Sequence, residues 1–188
     1  MRAIFVGGCP SSGTTYVRNV IASHPDVTGL TAHDFGLAEP SSKTLEGWLF
    51  HRSLSDVGII TRFKQACENV STKWVVEKTP ANALVFHRIS RLFPEAVLIR
   101  VYREREPTVR SIMDASSWAP LPGARQQAVD IFQTYEQARG GLPVQYEKLR
   151  NNRAAIDGLY RQIGLSPYAG KITNREGIPG SRRVAATA

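Results

Sequence analysis

This chain of 188 residues is poor in the groups that redox and metal chemistry need. Cys9 and Cys67 are its only cysteines, too few for a disulfide framework and without the spacing of a ligand set, and the four histidines are scattered, so no metal is expected. No apolar run approaches the ~20 residues that cross a bilayer. The first strand candidate starts almost at Met1, leaving no room for a leader, so the expectation is a soluble, cytoplasmic protein with no membrane partner. Internal repeats are absent as well. Acidic residues are in the minority, 16 against 24 Lys and Arg, for a net charge of +8. That excess suits an anionic ligand, although charge alone does not separate a small anion from a nucleic acid.

The length fits one domain with a full hydrophobic core, read as residues 1–188 with a loosely ordered tail from 177 to 188. Ala3 to Val6 is a continuous apolar run of the kind that forms a buried parallel strand. A helix is predicted from about Gly13 to Ser23, with His24-Pro25 stopping it, and a loop from Asp26 to Ser42. Two helices follow, Leu45 to Leu54 and Asp56 to Asn69. Lys73 to Glu77 and Ala96 to Tyr102 are further strand candidates, each leading into a helix, Ala81 to Leu92 and about Glu106 to Ser117. Trp118 to Gly123 is a predicted loop, Ala124 to Arg139 a helix, Pro143 to Tyr146 a strand and Arg153 to Ile163 the closing helix, ended by Gly164. Strands and helices alternating at this spacing predict an α/β, three-layer fold: a parallel sheet with helices on both faces. Its ligands belong outside the carboxyl ends of the strands.

Three segments at those carboxyl ends carry the chemistry. The first is Gly8-Cys9-Pro10-Ser11-Ser12-Gly13-Thr14-Thr15, a P-loop in outline that gathers backbone N–H groups around an anion at a helix N-terminus. Thr14 occupies the place of the lysine that grips the β- and γ-phosphates of ATP. The second is Arg103 to Ser111, where the arginine fork and the serine hydroxyl are both suited to one phosphate. The third is Glu77-Lys78-Thr79-Pro80, which sets a cation beside the loop that lacks its lysine.

Taken together and in this order, these segments resemble the sulfotransferases that use 3′-phosphoadenosine 5′-phosphosulfate (PAPS). The loop looks like their 5′-phosphosulfate loop, and Arg103 with Ser111 matches their 3′-phosphate pair. His24-Pro25-Asp26-Val27 and Glu77-Lys78-Thr79-Pro80 are similar to segments of heparan sulfate and related carbohydrate sulfotransferases, and Tyr146-Glu147-Lys148-Leu149 to a late tyrosine segment. The resemblance runs from about Ala3 to Leu165. It implies that Pro10, Ser11, Ser12, Gly13, Thr14 and Thr15 hold the 5′-phosphosulfate. Tyr16 and Tyr146 would then approach the adenine, and Arg175 and Gly177 of a degenerate late loop would close over the 3′-phosphate. Lys78 corresponds to the lysine on the bridging or sulfonate oxygens. As general base it points first to His33, then to Glu39 and Asp34.

The implied activity is in-line sulfonate transfer from PAPS to a hydroxyl or amine of a small-molecule or carbohydrate acceptor. It involves no metal and no nucleic acid, and the oligomeric state is left open. One departure stands out, since the family usually has lysine or arginine directly after the loop proline and this chain has Ser11. Two other readings stay open on sequence: a P-loop phosphotransferase using ATP, and a nucleotide-binding protein without transfer activity.

Overall fold

The computed structural model describes residues 1–31, 33–35, 49–50, 54–115 and 122–172. Five parallel strands form one sheet: β1 (Arg2–Gly8), β2 (Val27–Gly29), β3 (Trp74–Lys78), β4 (Val97–Tyr102) and β5 (Leu142–Gln145), in the order β2-β3-β1-β4-β5. The phosphate-loop strand β1 is therefore central. Val6 pairs with Lys78 of β3 on one side and with Ile99 of β4 on the other, so the ends of the three strands lie next to one another. Neighbouring strands are spaced by ~4.8 Å, and segments leaving these ends are within reach of a single small ligand.

Alternation along β1 divides the core into two layers. Ile4 and Val6 pack with Val17, Val20 and Ile21 of α1 (Thr14–Ala22) and with Ile156, Leu159 and Tyr160 of a late helix. Ala3 and Phe5 point to the other face, against Ile59 of α2 (Asp56–Cys67) and Phe86 and Ile89 of α3 (Phe86–Leu92). On that second side α4 (Arg105–Ala115) and α5 (Ala124–Glu136) add a smaller cluster around Val109, Ala128 and Phe132. The late elements are the one-turn α6 (Tyr146–Leu149) and α7 (Arg153–Gln162), after which Gly164 takes φ +84°. Each fully buried Ile, Val or Phe contributes ~1.5–3 kcal/mol, so the two layers fix the sheet on which the loop is mounted.

Several elements differ from the sequence reading. The region read as loop from Asp26 contains the three-residue strand β2, too short for a periodic signal, and a 3₁₀ turn at His33–Phe35. The helix expected over Ala81 to Leu92 is two pieces, a 3₁₀ turn at Pro80–Leu84 and then α3. The side-chain amide of Asn82 donates to the Val6 carbonyl (3.2 Å) and to Glu77 (2.6 Å), which ties the tight turn to the sheet before Val85 breaks it at φ −128°, ψ 20°. Tyr146, expected in the last strand, instead opens α6. Most of the helix expected over Leu45 to Leu54 lies outside the described residues; Leu49 and Phe50 lie in a turn.

Candidate functional site

The loop between β1 and α1 is shaped by two close approaches. A Cβ on Gly8 would stand 2.3 Å from the Val101 carbonyl, and one on Gly13 would stand 2.3 Å from the Tyr146 ring. Gly13 also sits at φ +93°, the left-handed region that side chains disfavour. Within the turn, the backbone N–H of Ser12 donates to the Cys9 carbonyl (3.0 Å) and its hydroxyl donates to the Val101 carbonyl (3.3 Å). Ser12 thus braces the loop against β4. Intrahelical bonding begins with Val17 N–H to the Gly13 carbonyl, so the N–H groups of Thr14, Thr15 and Tyr16 have no partner within α1. The first turn carries no acidic residue, which leaves this positive helix end open to an anion. Burial pushes the Cys9 thiol up to about 12, so it stays protonated at neutral pH.

Ser11, at the departure from the family pattern, adopts φ +67°, a strained state for a non-glycine residue. The turn presents its carbonyl outward, and the guanidinium of Arg103 donates to it at 3.2 Å. Arg103 leaves the carboxyl end of β4, lies 5.1 Å from the centre of the Tyr146 ring, and has Nε 3.8 Å from Glu147. Glu147 in turn accepts the N–H of Glu104 (3.1 Å) at the start of α4. An arginine from the neighbouring strand end thus lies against the loop at Ser11, held by a backbone carbonyl.

Tyr146 joins these parts. Its ring packs on Gly13, contacts Tyr16 edge-on at 5.6 Å between centroids, and faces Arg103. A pocket of about 350 Å³ opens between α4 and α6, lined by Arg103, Glu104, Pro107, Tyr146, Glu147 and Arg150 together with Asn151. Its size is within the range of ligand sites. A second cavity, about 310 Å³, lies between the Pro80–Leu84 turn, α3 and the end of α5; there Arg139 is turned to the carbonyls of Gln137 and Ala138.

Lys78 ends β3 and, by alternation with Glu77, lies on the sheet face covered by α1. Glu77 is buried on the opposite face, where its two oxygens accept from the Thr79 hydroxyl and the Asn82 amide, both at 2.6 Å. Ser111 is half-buried in α4, ~9 Å along it by helical rise from Arg105, and does not hydrogen-bond to Arg103. Arg18, another basic residue near the loop, turns away to the end of β2 and donates to the Leu30 carbonyl at 3.4 Å.

Among the base candidates, Asp34 has Oδ2 engaged by the N–H and hydroxyl of Thr31 (2.6 and 2.7 Å), a capping role. His33 begins the 3₁₀ turn beyond the carboxyl end of β2, the outermost strand, which β3 separates from the loop strand β1. Glu39, Arg175 and Gly177 lie outside the described residues. His24 is structural: its Nδ1 accepts the Asp26 N–H (3.1 Å), and Nε2 meets the Ser166 carbonyl (3.2 Å). Arg150 and Glu147 were missed by the sequence reading as site residues; Glu147 lies within the Tyr146-Glu147-Lys148-Leu149 segment it singled out, and Arg150 is the residue directly after that segment.

No family model matches the chain, and no curated protein sequence matches it. Solved structures do. The sulfotransferase domain of the Synechococcus PCC 7002 olefin synthase superposes with a TM-score of 0.68 at 18% identity, over 95% of this chain and 81% of that one. The chain has a sulfotransferase-type P-loop fold. The sulfotransferase domain of the curacin biosynthetic pathway gives a TM-score of 0.62 at 17% identity, over 90% of this chain and 78% of that one. Sulfotransferase STF1 from Mycobacterium tuberculosis H37Rv gives 0.56 at 13% identity, over 89% and 68%. In this sulfotransferase-type fold the loop, Lys78 and Arg103 all stand at the carboxyl edge of the sheet, on three adjacent strands. Among the described residues no helix is long and apolar enough to cross a membrane.

Proposed function

We propose that the chain transfers the sulfonate of PAPS to a hydroxyl or amine of a small-molecule or carbohydrate acceptor, releasing adenosine 3′,5′-bisphosphate. The observation that carries this reading is the pairing of two anion sites across Tyr146: the open N-terminus of α1 on one side and the Arg103 pocket on the other. A nucleotide with phosphate at both ends spans such a pair, with its base near Tyr16 and Tyr146. Thr14 in the lysine position suits a donor other than ATP.

When bound, PAPS supplies an activated sulfonate whose S–O bond to the 5′-phosphate breaks as the acceptor oxygen or nitrogen bonds to sulfur. The protein's part is positioning and charge. Thr14, Thr15 and Tyr16 offer backbone N–H groups to the leaving 5′-phosphate, and Lys78 from the adjacent strand supplies the cation beside them. Arg103 anchors the far phosphate with Ser111 further along α4. The acceptor proton passes to a base in the segment that follows β2, with His33 first and Glu39 second.

Incubation with sulfur-35-labelled PAPS and a panel of hydroxyl and amine acceptors tests this directly. Labelled product is expected from at least one acceptor, with turnover reduced roughly 10²–10³-fold in Lys78→Ala while bisphosphate binding is kept. A Lys78→Ala protein as active as wild type refutes the role given to Lys78; transfer of the γ-phosphate of ATP instead refutes the donor.

A further inference from the structure

Resting on the nucleotide reading above, we propose that Arg150 is a second cation for the 3′-phosphate and sets the preference for a nucleotide phosphorylated at both ends. Arg150 follows α6 directly, its guanidinium lies 6.0 Å from the centre of the Tyr146 ring, and it lines the same pocket as Arg103. Two guanidiniums beside one ring repel each other unless an anion lies between them. Glu147 answers only one of the two charges: one of its oxygens accepts the Glu104 N–H and lies 3.8 Å from Arg103 Nε, while the other has no hydrogen-bond partner, so two guanidiniums and one carboxylate leave a net positive charge beside the ring. Among the described residues no carboxylate forms an ion pair with Arg150. The pocket's remaining acid, Glu104, is exposed at the start of α4.

The geometry holding Arg150 in place is local and specific. Its backbone N–H donates to the Tyr146 carbonyl (2.9 Å), and the next residue, Asn151, takes φ +55° with its N–H 3.4 Å from the Tyr16 hydroxyl. The turn therefore fixes Arg150 relative to both tyrosines and, through Tyr146, relative to Gly13 of the phosphate loop. A dianionic phosphate entering the pocket meets one arginine fork from the end of β4 and another from the end of α6, an arrangement suited to charge-assisted contacts from two directions. A 5′-monophosphate leaves this pocket without its anion, so Arg150 distinguishes the two nucleotides without contributing to the loop.

Calorimetric titration of wild type and Arg150→Ala with adenosine 3′,5′-bisphosphate and with adenosine 5′-monophosphate tests the assignment. Arg150→Ala is expected to weaken the bisphosphate roughly ten- to hundredfold, the worth of a charge-assisted hydrogen bond, and to leave the monophosphate unchanged. Arg150 is exposed, so the variant keeps its fold, which its melting temperature verifies. An unchanged ratio of the two affinities overturns the assignment while the nucleotide reading stands. A wild-type protein that binds neither nucleotide overturns that reading itself.

Discussion

Gly13 shows how closely single positions in the loop are constrained. Its φ of +93° and the Tyr146 ring, 2.3 Å from where a Cβ would stand, exclude every side chain by two independent routes. Gly13→Ala is expected to cost about 1–3 kcal/mol in thermal or denaturant unfolding and to abolish measurable nucleotide binding, because Tyr146 must shift to admit the methyl group. A variant with wild-type stability and affinity would show that Tyr146 is not held against the loop. At this scale the sequence was informative where chemistry follows residue type: the loop glycines, Lys78 and Arg103 all stand at the expected strand ends. It was silent where a contact depends on a backbone atom. Nothing in a serine at position 11 announces that its carbonyl receives Arg103, and nothing in Arg150 distinguishes it from other surface arginines until α6 places it beside Tyr146.

At the level of elements, a buried side chain adds a hydrogen bond to the apolar packing between α7 and α1. Tyr160 is fully buried and donates its hydroxyl to the Val20 carbonyl at 2.7 Å, and burial pushes its pKa from an ordinary value near 10 up to about 12. The folded state therefore holds the phenol neutral where the unfolded chain ionises it, so its stabilising contribution is fully present below pH 10 and is lost as pH rises towards 12. Tyr160→Phe is expected to lose ~1 kcal/mol at neutral pH and to have a shallower fall in stability between those two pH values, read from urea midpoints at each pH. An equally steep fall would place the titrating group elsewhere. The long periodic elements, α1, α2, α4, α5 and α7, were legible because their apolar spacing is sustained. Those lost to the sequence were set by contacts distant along the chain: β2 by pairing with β3, and the Pro80–Leu84 turn by the Asn82 amide reaching β1 and Glu77.

Over the whole molecule, the sheet order β2-β3-β1-β4-β5 brings the separate segments to one edge. The loop on β1, Lys78 on β3 and Arg103 after β4 are far apart in sequence and adjacent in space only because their strands are neighbours in register. The order of motifs along the chain indicated this arrangement, whereas the pocket between α4 and α6 depends on the packing of two helices and was visible only in three dimensions. On the reading proposed above, this edge takes a nucleotide carrying phosphate at both ends. Isothermal titration of adenosine 3′,5′-bisphosphate against ATP with magnesium tests it most directly, with Arg103→Ala as the control. Wild type is expected to prefer the bisphosphate, and Arg103→Ala to lose roughly tenfold or more of that affinity, the loss of an ionic phosphate contact. Preference for ATP, or near-wild-type bisphosphate binding by Arg103→Ala, would contradict it.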